Sequence, residues 1–100
     1  MSFRFKVGPR AGRQIRAAAK WWAENRSAAP ALLREELEAA YALIADLPLA
    51  GQTVPHSRIV GLRRVLLSRT QYHLYYVVPD DAVIEVLALW HTSRGVPPPL

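Results

Sequence analysis

Cysteine is absent from the sequence of 100 residues, which excludes disulfides, thiolate chemistry and cysteine-bound zinc. A chain without cysteine suits a reducing cytoplasm, and that is where we expect this protein to work. Long apolar runs are missing as well. No stretch reaches the ~18 apolar residues of a membrane span, and the N-terminal residues MSFRFKVGPR lack the apolar segment of a signal peptide. We therefore predict no contact with a membrane.

Several motifs of cofactor and metal chemistry are also missing. The sequence has no glycine-rich phosphate loop, no H-E-x-x-H pair and no serine elbow. Its three histidines are scattered and lack supporting carboxylates, which is a poor basis for a metal site. We predict that the protein uses no metal and no small-molecule cofactor.

The positive charge of the sequence is concentrated in arginine. The net charge is +5, and eleven of the thirteen basic residues are arginine. Residues 1–23 and 47–79 contain no acid. The planar guanidinium suits paired hydrogen bonds to phosphate or carboxylate, so this charge predicts an anionic partner, either nucleic acid or an acidic protein segment. The alternative is a basic domain that is merely soluble.

The length predicts one domain, residues 1–100. The first half of the chain is predicted to form one strand and two helices. Alternating apolar and basic residues predict a strand at Phe3–Val7. Apolar spacings of three and four predict helices at Ala11–Asn25 and Pro30–Asp46, joined as an antiparallel hairpin. Trp21 lies off the apolar stripe, at the edge of the core or in a partner contact. The predicted stripes are Ile15, Ala18, Ala19 and Trp22, then Leu33, Leu37, Ala40, Tyr41 and Ile44.

The second half reads as a loop followed by three strands. Leu49–Val60 is the predicted loop, and short polar turns then predict an antiparallel meander. The proline-rich residues 95–100 are predicted to form a loose tail. The three strands are Leu62–Leu67, Tyr72–Val78 and Val83–His91.

Strict alternation assigns side chains of these strands to opposite faces. It places Arg63 and Arg69 on one face and Arg64 on the other. The nearly continuous apolar strands predict cover on both faces. Because the helices cover one face, we expect a bound partner on the second. On the last strand, one face is predicted to carry Ile84, Val86, Ala88 and Trp90, and the other Val83, Glu85, Leu87, Leu89 and His91. On the middle strand, one face is predicted to carry Tyr72, Leu74 and Tyr76, and the other His73, Tyr75 and Val77.

The remaining reactive groups are arginine, histidine and tyrosine on strands. Such groups suit phosphate chemistry without a metal, because arginine stabilises negative charge and histidine transfers protons near neutral pH. The alternative is structural: Arg63 and Arg69 are solvated or pair with an acidic partner, while Tyr72, His73 and Tyr76 pack. The residues alone leave both interpretations open.

The element order and three motifs resemble the RelE/ParE superfamily of type II toxin–antitoxin toxins. The motifs are Leu62-Arg63-Arg64-Val65, Tyr72-His-Leu-Tyr-Tyr76, and Ile84-Glu-Val-Leu-Ala-Leu-Trp-His91 with Arg94. The resemblance covers nearly the whole chain. It implies an α+β fold of order β-α-α-β-β-β, in which the N-terminal strand and the antiparallel meander form one sheet and a helical hairpin covers one face.

The resemblance also implies a function. Superfamily toxins are cytoplasmic growth inhibitors linked to plasmid stabilisation, and a cognate antitoxin holds them inactive in a hetero-oligomer. RelE-like members cut mRNA on the ribosome without a metal, whereas ParE-like members poison DNA gyrase. Residues 47–79 contain no lysine and no tyrosine follows Tyr76, so the chain looks more ParE-like. A degenerate member that binds antitoxin without toxicity is the third possibility.

The candidate site residues follow from the same resemblance. In a RelE-like nuclease, His91, Arg94, Arg63 and Arg69 would surround the scissile phosphate. In either case a wider set would bind the partner: Arg63, Arg64, Arg69, Tyr72, Tyr75, Trp90, His91, Arg94, Arg13, Arg16 and Lys20.

Overall fold

Five strands form one mixed sheet, and two helices pack across one of its faces. The computed structural model describes residues 3–100. Its strand order is β1-β5-β4-β3-β2, in which β1 runs parallel to β5 and the other described neighbours are antiparallel. This arrangement confirms the predicted α+β fold. The elements are β1 (Arg4–Val7), α1 (Pro9–Asn25), α2 (Leu32–Asp46), β2 (Gln52–Thr53), β3 (Arg63–Leu67), β4 (Tyr72–Asp80) and β5 (Val83–His91).

The first helix begins directly after β1. Gly8 has an extended backbone at the N-cap, its carbonyl accepts the amide of Gly12 at 2.9 Å, and Pro9 occupies the first helical turn. Proline is favoured there because its fixed φ suits the helix and the missing N–H has no helical acceptor. The helix therefore starts two residues earlier than the predicted Ala11.

The connection between the helices is held by a tryptophan. The indole of Trp22 donates to the carbonyl of Ala29 at 2.8 Å. The amide of Ala29 bonds to Arg26, and the amide of Leu32 bonds back to Ala29. These turns delay the start of α2 to Leu32 rather than the predicted Pro30.

The core between the helices and the sheet follows the predicted stripe on α2. On α1, Trp22 is buried, whereas Trp21 is 45% exposed. Ala19 was predicted to face the core, but it is exposed. Across residues 3–100, neither helix has the length and apolar composition needed to cross a membrane. The core residues of α2 are Leu33, Leu37, Ala40 and Ile44, with Tyr41 partly buried against them.

A bulge interrupts the pairing of β4 and β5. Tyr75 lies opposite Ala88, but the next residue, Tyr76, lies opposite Val86. Leu87 is therefore an extra residue in β5. A bulge of this kind shifts the alternation of every side chain beyond it.

The bulge corrects the predicted faces of β5. Ile84 and Val86 pack towards the helices, and beyond the bulge Leu89 returns to that same face. Ala88 and Trp90 pack on the opposite face. The prediction that Ile84, Val86, Ala88 and Trp90 share one face is wrong, because strict alternation assumes an uninterrupted strand.

The second face of the sheet is covered by the chain itself. Leu62, Tyr75 and Ala88 are buried there, and Ile59 and Leu100 pack against them. The expectation that a partner must cover this face is therefore wrong. The loop before β3 and the C-terminal residues supply the cover.

The C-terminal residues are held in place rather than loose. The indole of Trp90 donates to the carbonyl of Val96 at 2.9 Å. The guanidinium of Arg10 donates to the carbonyl of Pro99 at 2.7 Å, and Pro98 is buried. Proline excludes helix and strand here, but it leaves the carbonyls free to accept these bonds.

The predicted loop contains a short strand and a histidine-capped turn. Gln52–Thr53 pairs with the start of β3. The imidazole Nδ1 of His56 accepts the amides of Arg58 and Ile59 at 3.1 and 3.0 Å. His56 therefore orders the turn that covers the second face.

A buried tyrosine anchors the segment that follows α2. The hydroxyl of Tyr76 donates to the carbonyl of Pro48 at 2.7 Å and accepts the amide of Gly51 at 2.9 Å. Burial raises the pKa of Tyr76, while the Gly51 amide and the charge of Arg63 partly oppose the shift. The two bonds require close approach of the backbone, since a Cβ on Gly51 would lie 2.6 Å from the hydroxyl oxygen.

We predict that Gly51→Ala lowers the free energy of unfolding by about 1–3 kcal/mol, the usual cost of overpacking. The added methyl would press on the Tyr76 ring as well as its hydroxyl. Urea denaturation followed by circular dichroism measures the change. Gly95→Ala is the matched control, because nothing lies within 4 Å of its added Cβ. Equal midpoints for the two variants would contradict the prediction.

Candidate functional site

The predicted site residues lie on separate surfaces rather than around one centre. Tyr72, His91 and Arg94 meet at one end of the sheet beside α1. Arg63 lies at the far end of β3, and Arg64 lies on the second face. Arg13, Arg16 and Lys20 of α1 form a further surface.

The first surface is a cleft between α1 and the end of β5. Tyr72 pairs with His91 across the strands, and the amide of Thr92 bonds to Gln71 beyond them. The cleft encloses about 560 Å³, and none of the described residues that line it is acidic. We call it the basic cleft. Its lining residues are Gln14, Ala17, Ala18, Trp21, Arg26, Tyr72, Leu89, His91, Ser93 and Arg94.

A turn after β5 fixes the tautomer of His91. The amide of Ser93 donates to the imidazole Nδ1 at 3.1 Å, and the Ser93 hydroxyl lies 2.8 Å from the same nitrogen. Because the amide can only donate, Nδ1 is an acceptor and neutral His91 carries its proton on Nε2. The ring stands edge-on to Tyr72, with centroids 4.9 Å apart. Nε2 is thus the nitrogen with which neutral His91 can donate to a ligand.

Two guanidinium groups of the cleft stack on tryptophans. Arg26 lies over Trp21 with its Cζ 4.9 Å from the ring centroid, and Arg94 lies over Trp90 at 4.0 Å. Stacking of this kind holds a guanidinium in place without using its N–H donors. Burial raises the pKa of Tyr72, and the charge of Arg94 opposes that shift. Tyr72 is therefore a neutral phenol near neutral pH.

Arg69 lies in the β3–β4 turn, which α2 holds through a carboxylate. Glu36 accepts the amides of Arg69 and Thr70 at 2.9 and 2.8 Å. Burial would raise the pKa of Glu36, but these amide bonds and the charge of Arg69 together lower it below its ordinary value. The ionised carboxylate thus fixes the turn, while the Arg69 side chain stays exposed.

We predict that Glu36→Gln lowers the free energy of unfolding by about 1 kcal/mol at neutral pH, a value reduced for partial exposure. The folded pKa lies below the unfolded value of about 4.5. The contribution is therefore complete above that value and is lost as the pH falls through the folded pKa. Urea denaturation at several pH values should show the two proteins converging in acid. Glu38→Gln, at an exposed position of the same helix, is the control; a difference that persists in acid would contradict the assignment.

Arg63 is separated from the other proposed catalytic residues. It pairs with Tyr76, whereas His91 pairs with Tyr72. The two registers are four residues apart along β4, which is about 13 Å along a strand. The Arg63 guanidinium also donates to the carbonyls of Leu49 and Gly51 at 3.1 and 2.8 Å. It holds the segment after α2 and does not reach the basic cleft.

Arg64 belongs to a polar group on the second face. Its guanidinium donates to the side-chain oxygen of Gln52 at 3.1 Å and to the hydroxyl of Tyr75 at 3.2 Å. His73 lies beside Tyr75 with ring centroids 6.0 Å apart. Burial lowers the pKa of His73, and the nearby charge of Arg64 lowers it further. His73 is therefore neutral at physiological pH.

Three of the four basic residues of α1 are exposed and turned away from the core. Arg13, Arg16 and Lys20 are exposed on the side of the helix opposite its buried residues. They share neither the basic cleft nor the second face. Their charge is available to an anionic partner without any rearrangement.

Sequence reasoning missed Arg26, Gln14 and Ser93 as neighbours of His91 and Arg94. Arg26 follows the end of α1, where helical periodicity no longer indicates a direction. Gln14 accepts the amide of Leu89 at 2.9 Å, a contact that depends on the packing of α1 against β5. Trp21, which lies off the apolar stripe, was the signal for this cleft that the sequence of α1 offered.

The pattern of a known family extends over almost the entire chain. The family described as "ParE toxin of type II toxin-antitoxin system, parDE" matches residues 5–96. The chain belongs to the ParE toxin family. As a member, it is a toxin of a type II toxin–antitoxin system, which confirms the predicted superfamily and its ParE-like branch.

A solved structure shares the fold of this ParE family member. It is described as "Chromosomal ParDE TA system from P. aeruginosa" and superposes with a TM-score of 0.67 at 16% sequence identity. The match covers 90% of this chain and 96% of the other. Identity this low shows a common fold alone. Among curated proteins, no sequence matches the chain significantly.

Proposed function

We propose that this ParE family toxin acts in the cytoplasm on DNA gyrase and that a cognate antitoxin neutralises it in a hetero-oligomer. Membership in the ParE toxin family is the observation that carries the proposal. The basic surface supports it further, because a net charge of +5 with exposed arginines suits an acidic partner.

The placement of Arg63 favours gyrase over mRNA as the target. A metal-independent nuclease would need its arginines and histidine around one phosphate. Arg63 instead holds backbone carbonyls in the segment after α2, about 13 Å along β4 from the register of His91. His91 and Arg94 do lie together, so the nuclease stays the second candidate.

The antitoxin surface that we propose lies between α2 and the outer edge of β3. Leu43 and Leu66 are 42% and 48% exposed there, and together with Val65 and Arg64 they line a groove of about 230 Å³. β2 covers only the start of β3, so the edge beside Leu66 is open. An amphipathic, acidic segment fits a groove with apolar walls and an arginine at its side.

The first test separates the two targets. Purified toxin is expected to inhibit supercoiling by gyrase and to leave mRNA on ribosomes intact. Supercoiling gels and primer extension measure the two outcomes. Cleaved mRNA with unaffected gyrase, together with loss of toxicity in His91→Ala, would establish the nuclease instead. The absence of any growth defect would identify a degenerate member.

The second test concerns the antitoxin. Leu66→Glu should weaken antitoxin binding at least tenfold, because it removes about 1.5–3 kcal/mol of apolar burial and places a like charge against an acidic segment. Toxicity itself should persist. Calorimetry with the antitoxin encoded beside the gene and growth on co-expression provide the readouts. Val60→Glu is the matched control, since Val60 is 96% exposed outside the groove; equal binding by both variants would refute this surface.

A further inference from the structure

We propose that the basic cleft is a binding site for a nucleoside phosphate, with the base against Trp21 and the phosphate on the guanidinium groups of Arg26 and Arg94. The ligand is either a free nucleotide or one unit of a single strand. The inference goes beyond the proposed toxin function, because it requires neither gyrase nor an antitoxin.

The walls of the cleft provide room and a surface for a planar ring. Its volume of about 560 Å³ falls within the roughly 300–1,000 Å³ of small-molecule sites. Trp21 is 45% exposed, although tryptophan has the largest of all side chains. The wall of the cleft next to it consists of Ala17 and Ala18. Arg26 covers one face of the indole, so a base would contact the part of Trp21 that lines the cleft beside Ala17 and Ala18. Stacking on tryptophan tolerates any nucleobase.

The polar groups that are free in the cleft are donors. Gln14 uses its side-chain oxygen for the amide of Leu89, and the Ser93 hydroxyl lies against His91 Nδ1. Arg26 uses one N–H for the carbonyl of Asn25. The remaining N–H groups of Arg26, those of Arg94 and the Nε2–H of His91 can donate to a ligand, as can the Tyr72 hydroxyl. The complementary ligand group is therefore an acceptor-rich anion.

Phosphate attached to a base meets both requirements at once. Arginine binds phosphate oxygens through paired hydrogen bonds, and no acidic side chain lines the described cleft to compete for it. An isolated carboxylate would satisfy the donors but would leave the indole and alanine wall uncovered. Orthophosphate alone would likewise lose the stacking contribution. The cleft thus favours a nucleotide over either.

The indole resonances of the purified chain provide a site-specific test. Trp22 and Trp90 donate their indole N–H groups to Ala29 and Val96, and the Trp21 signal is identified by its loss in Trp21→Phe. Titration with a nucleoside monophosphate should shift the Trp21 signal saturably. Orthophosphate should bind at least tenfold more weakly. A Trp21 signal that does not move, or equal affinity for orthophosphate, would overturn the proposal.

Variants with a matched charge control locate the ligand. Trp21→Ala and Arg94→Gln should each weaken binding about tenfold, because the first removes the stacking surface and the second removes a charged hydrogen-bond donor. Arg16→Gln removes the same charge from an exposed position on the side of α1 that faces away from the lining residues Gln14, Ala17 and Trp21, and it should bind as the unmodified chain does. Equal weakening by Arg16→Gln would show non-specific attraction and would refute the site. Circular dichroism confirms that each variant is folded.

A comparison of ligands separates the two sources of the nucleotide. Tighter binding of a ten-residue oligothymidylate than of thymidine monophosphate, with the same sensitivity to Trp21→Ala, would identify a single strand as the source. Equal affinity would identify the free nucleotide. Either result supports the site. Displacement of the Trp21 signal by a poly-glutamate peptide, with no response to nucleotides, would overturn it.

Discussion

The buried hydroxyl of Tyr76 connects the helical half of the molecule to the sheet. It bonds Pro48 and Gly51 in the segment after α2, and Arg63 bonds the carbonyls of the same segment. Because the Tyr76 phenol and the Arg63 guanidinium both hydrogen-bond to this segment, it is fixed against β3 and β4. The short β2 that follows it can then pair with β3. Arg63 thereby becomes a structural residue. Of the arginine pair in the sequence motif, Arg63 is half-buried and holds this segment, whereas Arg64 lies on the second face.

The bulge at Leu87 decides which side chains of β5 face the helices. It returns Leu89 to the helical face, where Gln14 bonds its amide and α1 packs beside it. It also sends Ala88 and Trp90 to the second face, where the indole holds the C-terminal residues. Without the extra residue, Trp90 and His91 would exchange faces, and the basic cleft would lose its histidine.

The molecule presents two surfaces of different chemistry. The groove beside β3 has exposed leucines and one arginine, which suits an amphipathic protein segment. The basic cleft has an exposed tryptophan and unpaired guanidinium donors, which suits a base and a phosphate. They involve different residues, so a ParE family toxin with this structure can be tested for each partner separately.

The sequence by itself determined the α+β class, the family resemblance and every element except the short β2, because apolar spacing, turn residues and strand motifs are local properties. Tyr72, His91 and Arg94 could be named as candidates from those motifs alone. Only the tertiary structure decided that β1 pairs with β5, that Leu87 is an extra residue, and that the chain covers its own second face. Only packing could bring Trp21 and Arg26 to His91. These are contacts between distant segments, and they depend on how helices and strands fit together, which no local pattern records.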